Sequence, residues 1–559
     1  MLEMAVTTST IYRLNHRSIT LIRLTSILAF ALVFGGHTYL HANTPTSQKS
    51  HTKQAPTTRP TTNAATSAPN PKKDPGAQLR QRVVEVKLKN GMLFLLVRRE
   101  GPPTFAANIR VRAGGVDEQI GYTGLAHIFE HMAFKGTTVV GSKNWKKEKA
   151  SLQMLQKVGE AISRETIRQK GKSTQRLLRL KALFRMLQRK HQQYVRKGEF
   201  TRIYESNGGT GLNATTGKDL TSYFLSLPSN RLELWARQEA ARLTAPVFRE
   251  FYKERSVVVE ERRMAMSRAS QRLYEAFMAT AFIAHPYRLP TVGWMSDITT
   301  IPLQQMRDFF KTYYTPANMV GAIVGNIDIK KTKAILESTF GLIPKGPKPP
   351  PVRTREPKQQ GERRVNVTFH TNPQIMIGYH KPTAPHPHDD VFDVIEVLLT
   401  AGPSSRLYKK LVKGRFAQKV WTSSLPGARF PNVFTIGATP MAPHTTKKLE
   451  ALIYAELERL KNEPVGQKEL QKVYNISAMR FLRGLRSNKG LADQLSYFQA
   501  TVGDWRYATK HNKRLKRVTP KLIMEVARTY FKATNRTVAT LVQTQSKDGS
   551  ALLGRRRQM

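Results

Sequence analysis

The stretch "TYYTPANMVGAIVG", residues 312–325, occurs a second time in altered form as "TYFKATNRTVATLV", residues 529–542. Both copies follow a segment with the apolar spacing of an amphipathic helix, carry an asparagine at the same offset (Asn318 and Asn535), and run into a strand rich in β-branched residues. Because one copy ends each half of the chain, the match favours a duplication. We therefore predict an α+β fold of two related lobes, each a mostly antiparallel sheet with helices packed on it. A ligand is expected between such lobes.

Segments of unusual composition delimit these lobes. Residues 43–81 are rich in Thr, Pro, Ser, Ala and Lys, which predicts a disordered tether. The proline density of residues 343–364 predicts an extended linker. The first lobe then spans residues 82–342 and the second 365–545, followed by a basic tail at 546–559. Residues from about 143 to 198 combine high basic charge with helical spacing, which predicts a helical hairpin inserted into the first lobe.

The 559-residue chain has a formal net charge of +52 and no cysteine. A charge of this size predicts attraction to anionic membranes, polymers or acidic peptides, although a solvated basic surface explains it equally well. No specific nucleic-acid site is indicated, because the polybasic tail "GRRRQM" is too short to define one. Neither a phosphate-binding loop nor a dinucleotide fingerprint is present. The lack of cysteine excludes disulfides, thiolate metal ligands and cysteine nucleophiles, so any metal must be held by nitrogen and oxygen.

The N-terminus indicates export. Arg13, Arg17 and Arg23 precede an apolar run from Leu24 to Phe34, and Ala42 offers a small residue at which cleavage could occur. This pattern is typical of a signal peptide, here residues 1–42, and predicts a periplasmic or secreted protein. The run is shorter than an ordinary membrane span of about 20 residues. An uncleaved segment that anchors the protein to a membrane is the alternative.

The stretch "GLAHIFEHMAFKGT", residues 124–137, carries the strongest chemical signal. His127 and His131 lie four apart, so a helix places both imidazoles on one face, one turn apart. Glu130 lies beside that face without having to be a ligand. This order of residues is the inverted form of the zincin motif, and it is suited to metal-assisted hydrolysis in which a carboxylate takes a proton from water. A helix that carries these residues by chance is the alternative.

A catalytic zinc site needs a third protein ligand, and "FYKERSVVVEERRM", residues 251–264, offers one. Glu254 and Glu261 are seven residues apart, two helical turns, and share a face. Glu260 points about 100° away from Glu261, because that is the rotation per residue of an α-helix. Spacing alone does not decide which member of this adjacent pair faces the histidines.

The H-x-x-E-H order, the pattern E-R-x-V-V-x-x-E at residues 254–261 and the two-lobed layout resemble the M16 metallopeptidases, which include pitrilysin, insulysin and the mitochondrial processing peptidase. The resemblance implies one Zn²⁺ per chain held by His127, His131 and Glu261, with Glu130 as catalytic base. It implies that Glu254 is a helper carboxylate near the site. The implied activity is a zinc endopeptidase that hydrolyses peptides or unfolded segments in a chamber between lobes.

The segment "GGTGLNATTGKDLTSYF", residues 208–224, resembles the family's edge strand beside the zinc. The resemblance places Asn213 and Ala214 at substrate-facing positions. The edge of a sheet offers unpaired backbone groups, so a peptide substrate can bind by adding a strand. A plain hairpin strand is the alternative.

The second half departs from the family pattern. Members that act alone or as homodimers often carry Arg and Tyr seven residues apart after "SRL", but here Val412 and Lys419 occupy those positions. A second M16-like chain that supplies the pair is therefore one expectation, and a homodimer is another. Substitution of the missing pair by Arg415 of this chain is a further alternative. Two other classes stay open, a non-catalytic assembly subunit of the same fold and a binder of anionic surfaces. The stretch "HPHDD", residues 386–390, is expected to be a solvated turn rather than a metal site.

Overall fold

The computed structural model describes residues 75–169 and 172–543. The predicted signal peptide, most of the predicted tether and the basic tail lie outside these ranges. Among the described residues, no helix combines the length and apolar character needed to cross a membrane.

The strands of the described chain form two sheets. They are β1 (Val83–Lys87), β2 (Leu93–Arg98), β3 (Thr104–Val111), β4 (Thr210–Thr216), β5 (Thr221–Pro228), β6 (Met319–Gly325), β7 (Arg363–Phe369), β8 (Gln374–Lys381), β9 (Ala417–Leu425), β10 (Asn432–Pro440) and β11 (Arg536–Gln543). The first sheet has the order β1-β2-β6-β3-β5-β4, and the second has the order β7-β11-β8-β10-β9.

Helices cover these sheets and connect their strands. They are α1 (Pro75–Arg82), α2 (Leu125–Met132), α3 (Trp145–Arg168), α4 (Gln175–Gln192), α5 (Glu199–Ser206), α6 (Leu232–Thr244), α7 (Phe251–Met266), α8 (Ala269–Ala281), α9 (Met295–Thr300), α10 (Leu303–Tyr313), α11 (Ile329–Ser338), α12 (Pro387–Thr400), α13 (Thr446–Asn462), α14 (Gln467–Arg486), α15 (Asn488–Thr501), α16 (Arg506–Thr509), α17 (His511–Leu515) and α18 (Pro520–Tyr530). A π-helix spans Tyr408–Lys413.

The two sheets repeat one topology, which confirms the predicted α+β fold of two related lobes. Without β1, the first sheet reads β2-β6-β3-β5-β4, and each position matches its counterpart in β7-β11-β8-β10-β9. Strand β6 pairs parallel to β2 and antiparallel to β3, and β11 likewise pairs parallel to β7 and antiparallel to β8. Both β4 and β9 lie at a free edge of their sheets.

The asparagines of the repeated stretch make equivalent hydrogen bonds. The side-chain amide of Asn318 donates to the carbonyl of the tyrosine five residues before it, at 2.8 Å, and Asn535 does the same at 2.9 Å. A second bond reaches across the sheet, from Asn318 to the carbonyl of Arg112 at 3.2 Å and from Asn535 to that of His380 at 2.9 Å. Each asparagine thus ties the end of a helix to the neighbouring strand, which explains why both copies of the stretch carry this residue.

Each half contributes a helix to the sheet of the other half. Helix α15 packs on β3 and β6 of the first sheet, while α8 packs on β7, β8 and β11 of the second. Leu491 and Leu495 are buried with strand residues of the first sheet. Leu273 and Phe277 are buried with strand residues of the second. The apolar core therefore continues from one lobe into the other.

The predicted tether and the predicted linker can be compared with the helices and strands of the structure. The tether was expected to reach residue 81, but α1 covers Pro75–Arg82 and buries Leu79, so that prediction is wrong for residues 75–81. Residues 344–362, within the predicted linker, lie in neither a helix nor a strand. This segment is nevertheless held, because the carboxylate of Glu356 accepts hydrogen bonds from the backbone amides of residues 283–285 at 3.0–3.1 Å.

Candidate functional site

Helix α2 presents both histidines and begins at a position that only glycine tolerates well. Gly124 has a φ of 97°, and a Cβ there would lie 2.5 Å from the carbonyl oxygen of Val292. Glu118, a buried carboxylate, accepts hydrogen bonds from the amides of Gly124 at 2.9 Å and Ala126 at 2.7 Å. These amides would otherwise be unpaired at the start of the helix. Phe129 faces the core, so the histidines are left on the opposite side.

Three donor atoms converge beside this helix. The Nε2 atoms of His127 and His131 lie 3.5 and 3.6 Å from the same oxygen, Oε2 of Glu261. The ligand atoms of the three side chains all lie within 4.8 Å of one another. Their side chains are 16, 20 and 25% exposed, so the cluster is sheltered but open to solvent. Two imidazole nitrogens and one carboxylate oxygen are a donor set that suits zinc with a further coordination position open.

The structure decides between the adjacent carboxylates of α7. Glu261 faces the histidines of α2, whereas the Glu260 side chain is 60% exposed and pairs with Arg263 on its own helix. Helix α7 packs directly against α2, so the one-residue rotation between the two glutamates separates a candidate ligand from a solvated side chain.

Glu254 contacts the opposite side of the His131 ring. Its Oε2 lies 3.5 Å from Nδ1 of His131, while its Oε1 accepts a hydrogen bond from Nζ of Lys135 at 2.6 Å. Burial alone would lower the pKa of His131, but contact with Glu254 and Glu261 outweighs burial and raises it to about 9. Burial opposes ionisation of Glu254, but His131 and Lys135 bring the pKa of that carboxyl down to about 2. Glu254 therefore orients an imidazole rather than facing the three donor atoms.

Glu130 and His127 each have a polar group that makes no hydrogen bond with any described residue. Glu130 is half-buried and makes no hydrogen bond or ion pair with any described residue. The Nδ1 atom of His127 is buried and likewise has no partner in the described part of the chain. Burial lowers the pKa of His127, which favours the neutral imidazole that a metal requires. The Glu130 carboxylate is thus free to exchange a proton with a bound molecule.

A buried arginine organises the loop that follows α2. Arg249 is 1% exposed, and its guanidinium donates to the carbonyls of Thr137 at 2.7 Å, Val140 at 3.0 Å and Lys135. Its Nε also donates to Oε1 of Glu148, on helix α3 of the insert, at 2.6 Å. The backbone of Lys135, which carries the ammonium that contacts Glu254, is therefore held by a residue anchored in the insert.

Sequence reasoning missed Glu118, Lys135 and Arg249. Glu118 and Arg249 lie outside the quoted motifs, and Lys135 lies within residues 124–137 at a position to which spacing gives no role. The contacts of Lys135 and Arg249 join segments about a hundred residues apart. A glutamate a few residues before a glycine-initiated helix is the one signal that favours a capping role for Glu118.

The edge strand lies where the sequence predicted it, but its two residues differ. Strand β4 is the last strand of the first sheet. Asn213 is exposed, whereas the side chain of Ala214 is 4% exposed and packs in the core. The expectation that both face a substrate is corrected, because neighbouring strand residues point to opposite faces. Only the backbone of Ala214 remains available, and its amide donates to Oδ1 of Asn213 at 2.9 Å.

The second lobe has other groups at the positions of the missing pair. Val412 is half-buried against the core of that lobe, and Lys419 is exposed on the edge strand β9. Arg415 is exposed and has a φ of 61°. Val412 offers no polar atom and Lys419 offers a point charge, so neither reproduces the hydrogen bonding of a guanidinium and a phenol.

A second cluster of potential ligands lies in the second lobe. Ligand atoms of Asp390, Asp393 and His511 lie within 4.8 Å of one another, but Nε of Arg514 donates to both oxygens of Asp390, at 3.0 and 3.1 Å. The carboxylate of Asp390 is thus already paired with a cation. The stretch "HPHDD" was predicted to be a solvated turn, and this prediction is wrong because its residues form the start of α12. The His386 ring caps this helix by accepting a hydrogen bond from the amide of residue 388.

Two family models and several named relatives match the chain. The family model described as Insulinase (Peptidase family M16) matches residues 94–168, and the model described as Peptidase M16 inactive domain matches residues 300–476. A Helicobacter pylori protein named zinc protease PqqE is 27% identical over 468 residues, covering 82% of this chain and 92% of that protein.

Solved structures show the same fold. The crystal structure of a protease from Helicobacter pylori matches with a TM-score of 0.69 and 25% identity, over 82% of this chain and 99% of that one. The periplasmic protease PqqL from Escherichia coli matches with a TM-score of 0.63 and 16% identity, over 85% of this chain and 49% of that one, and shows likeness of fold alone. Matched domain models, named zinc-protease relatives and a shared two-lobed architecture lead to one conclusion: the chain belongs to the M16 peptidase family.

Proposed function

We propose that the protein is an exported zinc-dependent endopeptidase that hydrolyses peptides or unfolded protein segments in a chamber between lobes. The observation that carries this proposal is the convergence of two Nε2 atoms and one carboxylate oxygen, from His127, His131 and Glu261, beside the unpaired carboxylate of Glu130. The names of relatives as zinc proteases support the metal and the reaction class. The predicted signal peptide supports a periplasmic or secreted location.

His127, His131 and Glu261 would hold the ion, and Glu254 would orient His131 from behind. Zinc bound there supplies Lewis acidity, which lowers the pKa of a water molecule and polarises a peptide carbonyl. Glu130 accepts a proton from the attacking water and then passes it to the leaving amine. Because no residue in the described part of the chain forms a hydrogen bond with Glu130, its carboxylate would be available for both transfers.

The substrate would bind as an added strand along β4. This strand lies at the free edge of the first sheet and adjoins α2, so a peptide paired with it would pass close to the histidines. The Asn213 side chain, which accepts a hydrogen bond from the Ala214 amide at 2.9 Å, would have to release that amide. Backbone pairing at Ala214 would then give recognition that does not depend on substrate side chains. Cleavage should then depend more on the size and extension of the substrate than on its sequence.

The decisive experiment compares Glu130→Gln with the matched variant Glu260→Gln. We expect Glu130→Gln to retain zinc and lose about 10²–10⁴-fold in peptide hydrolysis, because the general base is removed and the ligands stay. Glu260→Gln, whose side chain points into solvent, should keep both properties. Full activity in Glu130→Gln would refute the mechanism, and a purified wild-type chain that binds no zinc would favour a non-catalytic assembly subunit.

We further propose that a second M16-like chain completes the site with an Arg/Tyr pair. The positions that carry this pair in many relatives hold Val412 and Lys419, which lack the required hydrogen-bonding groups. Co-expression with an M16-like chain that has the pair but no zinc motif should raise the rate of peptide cleavage. The partner proposal fails if the purified chain alone cleaves as fast as the co-expressed complex.

A further inference from the structure

The inserted hairpin of α3 and α4 has two different faces. Its inner face is fixed against α7, since the rings of Phe184 and Tyr252 lie 5.3 Å apart and a Cβ on Gly159 would lie 2.2 Å from the Tyr252 ring. The buried leucines Leu177 and Leu187 also belong to this inner face. The opposite face therefore points away from the helix that carries Glu254 and Glu261.

The exposed charges of the outer face are all basic. The acidic residues of these two helices are Glu148, Glu160 and Glu165, of which the first and last are buried and Glu160 is partly buried. The exposed basic residues are Lys146, Lys147, Lys149, Lys157, Arg164, Arg168, Lys172, Arg176, Arg179, Lys181, Arg185, Arg189 and Lys190. Among them, only Arg168 and Arg176 make an ion pair with a described residue, and both do so with Glu165.

Some exposed basic residues elsewhere in the described chain are paired with carboxylates. On α13, a surface helix of the second lobe, Arg459 pairs with Glu456 and Glu463, and Lys461 pairs with Glu458. Arg459 and Lys461 are thus matched by carboxylates, whereas Lys447 and Lys448 of the same helix make no ion pair with a described residue. On the hairpin, the missing counter-charges must be supplied by solvent ions or by a partner.

Apolar side chains project from the same outer face. Leu178 and Met186 on α4 are 52 and 53% exposed, and with Ala182 they follow a four-residue spacing along one side of the helix. Leu183 is also exposed, as are Met154 and Ile167 on α3. Contact with water does not explain why apolar side chains are exposed here. A partner bound by charge alone would need only the arginines and lysines, so the apolar side chains indicate a partner with an apolar part.

Basic residues around exposed leucine and methionine are the features by which a helix lies on an anionic lipid surface. The long Lys and Arg side chains reach the headgroups while the apolar side chains enter the boundary with the acyl chains. We propose that the outer face of the α3–α4 hairpin docks on an anionic phospholipid bilayer. The opposite side of the hairpin contacts α7, so docking would leave the candidate metal site on the side away from the lipid.

The experiment measures co-sedimentation of the full chain with vesicles of phosphatidylcholine, with and without phosphatidylglycerol. We expect binding only to the anionic vesicles, with a steep loss at high salt. Replacing Lys181, Arg185, Arg189 and Lys190 by Gln should lower the partition coefficient about a hundredfold. The matched variant replaces four exposed basic residues of the second lobe by Gln. These residues are Lys516, Lys521, Arg528 and Lys532, and their replacement should lower the partition coefficient about tenfold at most.

A second pair of variants tests the apolar contribution. Leu178→Gln with Met186→Gln should lower partitioning about tenfold, because these side chains no longer enter the acyl boundary. The control Leu342→Gln with Met479→Gln changes two exposed residues of the same types away from the hairpin, and this variant should bind as the wild type does. Unchanged thermal unfolding and peptide hydrolysis would show that all variants fold.

Two outcomes would overturn the proposal. Equal losses in the hairpin and second-lobe charge variants would show that net charge alone drives binding. Loss in the hairpin charge variant, but not in Leu178→Gln with Met186→Gln, would show that the face binds an anionic polymer such as a nucleic acid and not a bilayer.

Discussion

Glu254 and Glu261 are carboxylates on one helix, two turns apart, yet they meet opposite nitrogens of the same imidazole. Glu261 faces Nε2 of His131, together with Nε2 of His127, while Glu254 faces Nδ1 of His131 and pairs with Lys135. A carboxylate at the second ring nitrogen sets the tautomer and orientation of a metal-binding histidine. The two glutamates therefore have different roles despite their shared face.

Replacing Glu254 tests this difference. We expect Glu254→Gln to weaken zinc binding by about 10–100-fold, because the neutral amide no longer provides a negative charge beside the His131 ring. Competition with a chromophoric chelator measures the affinity. Glu260→Gln, on the same helix but exposed, provides the control and should bind zinc normally. An unchanged affinity in Glu254→Gln would contradict the positioning role.

At the scale of elements, the insert and the loop after α2 are joined by a buried ion pair. The side chain of Glu148 is fully buried and pairs with Arg249. The Arg249 guanidinium also donates hydrogen bonds to backbone carbonyls within residues 135–140. Without the carboxylate, the guanidinium would be a buried charge without a counter-ion, which destabilises the folded state. The hairpin is thus part of the structure that supports the candidate site.

Glu148→Gln should lower the free energy of unfolding by about 3–5 kcal/mol, because one partner of a buried pair is removed. Thermal unfolding followed by circular dichroism would record a transition several degrees lower. Glu160→Gln, a change of the same type on the same helix at a half-buried position, should shift the transition little. Equal transitions for the two variants would show that the pair does not anchor the hairpin.

At the scale of the whole molecule, a loop of the second lobe reaches a buried polar group of the first. Nη1 of Arg429 lies 2.9 Å from Oδ2 of Asp117 and donates to the backbone carbonyl of Asp219 at 3.0 Å. The Asp219 side chain in turn accepts hydrogen bonds from the amides of Ala428 and Arg429 and from the hydroxyl of Tyr287. Burial raises the pKa of Asp117 to about 6, against the opposing effect of Arg429.

Arg429→Met should destabilise the protein by an amount that depends on pH. Because the folded state holds the Asp117 proton more tightly than the unfolded state, this carboxyl costs stability as pH rises through about 4 to 6. Removing the guanidinium raises the folded pKa further, so the loss relative to wild type should be small near about pH 5 and full, about 3–5 kcal/mol, near about pH 8. Thermal unfolding at both values measures it, with the exposed Arg353→Met as control. A loss independent of pH would contradict this account.

Local patterns were sufficient for much of the fold and part of the site. Helical spacing placed His127 and His131 on one face, and the repeated stretch around Asn318 and Asn535 predicted two related lobes. The family resemblance selected Glu261, which spacing alone could not separate from Glu260. Each of these predictions depends on residues close together in sequence or on a repeated unit, where periodicity carries the information.

Contacts between distant segments needed the tertiary structure. The sequence by itself determined the fold class, the helix that presents two imidazoles, the inserted hairpin and the edge strand. The tertiary structure decided that α8 and α15 each pack on the sheet of the opposite lobe, and that Glu118 caps α2. It also decided that Arg249 connects the insert to the loop after α2, and that Ala214 faces the core. The physical reason is that periodicity and turn chemistry act over a few residues, whereas burial and ion pairing depend on which segments folding brings together.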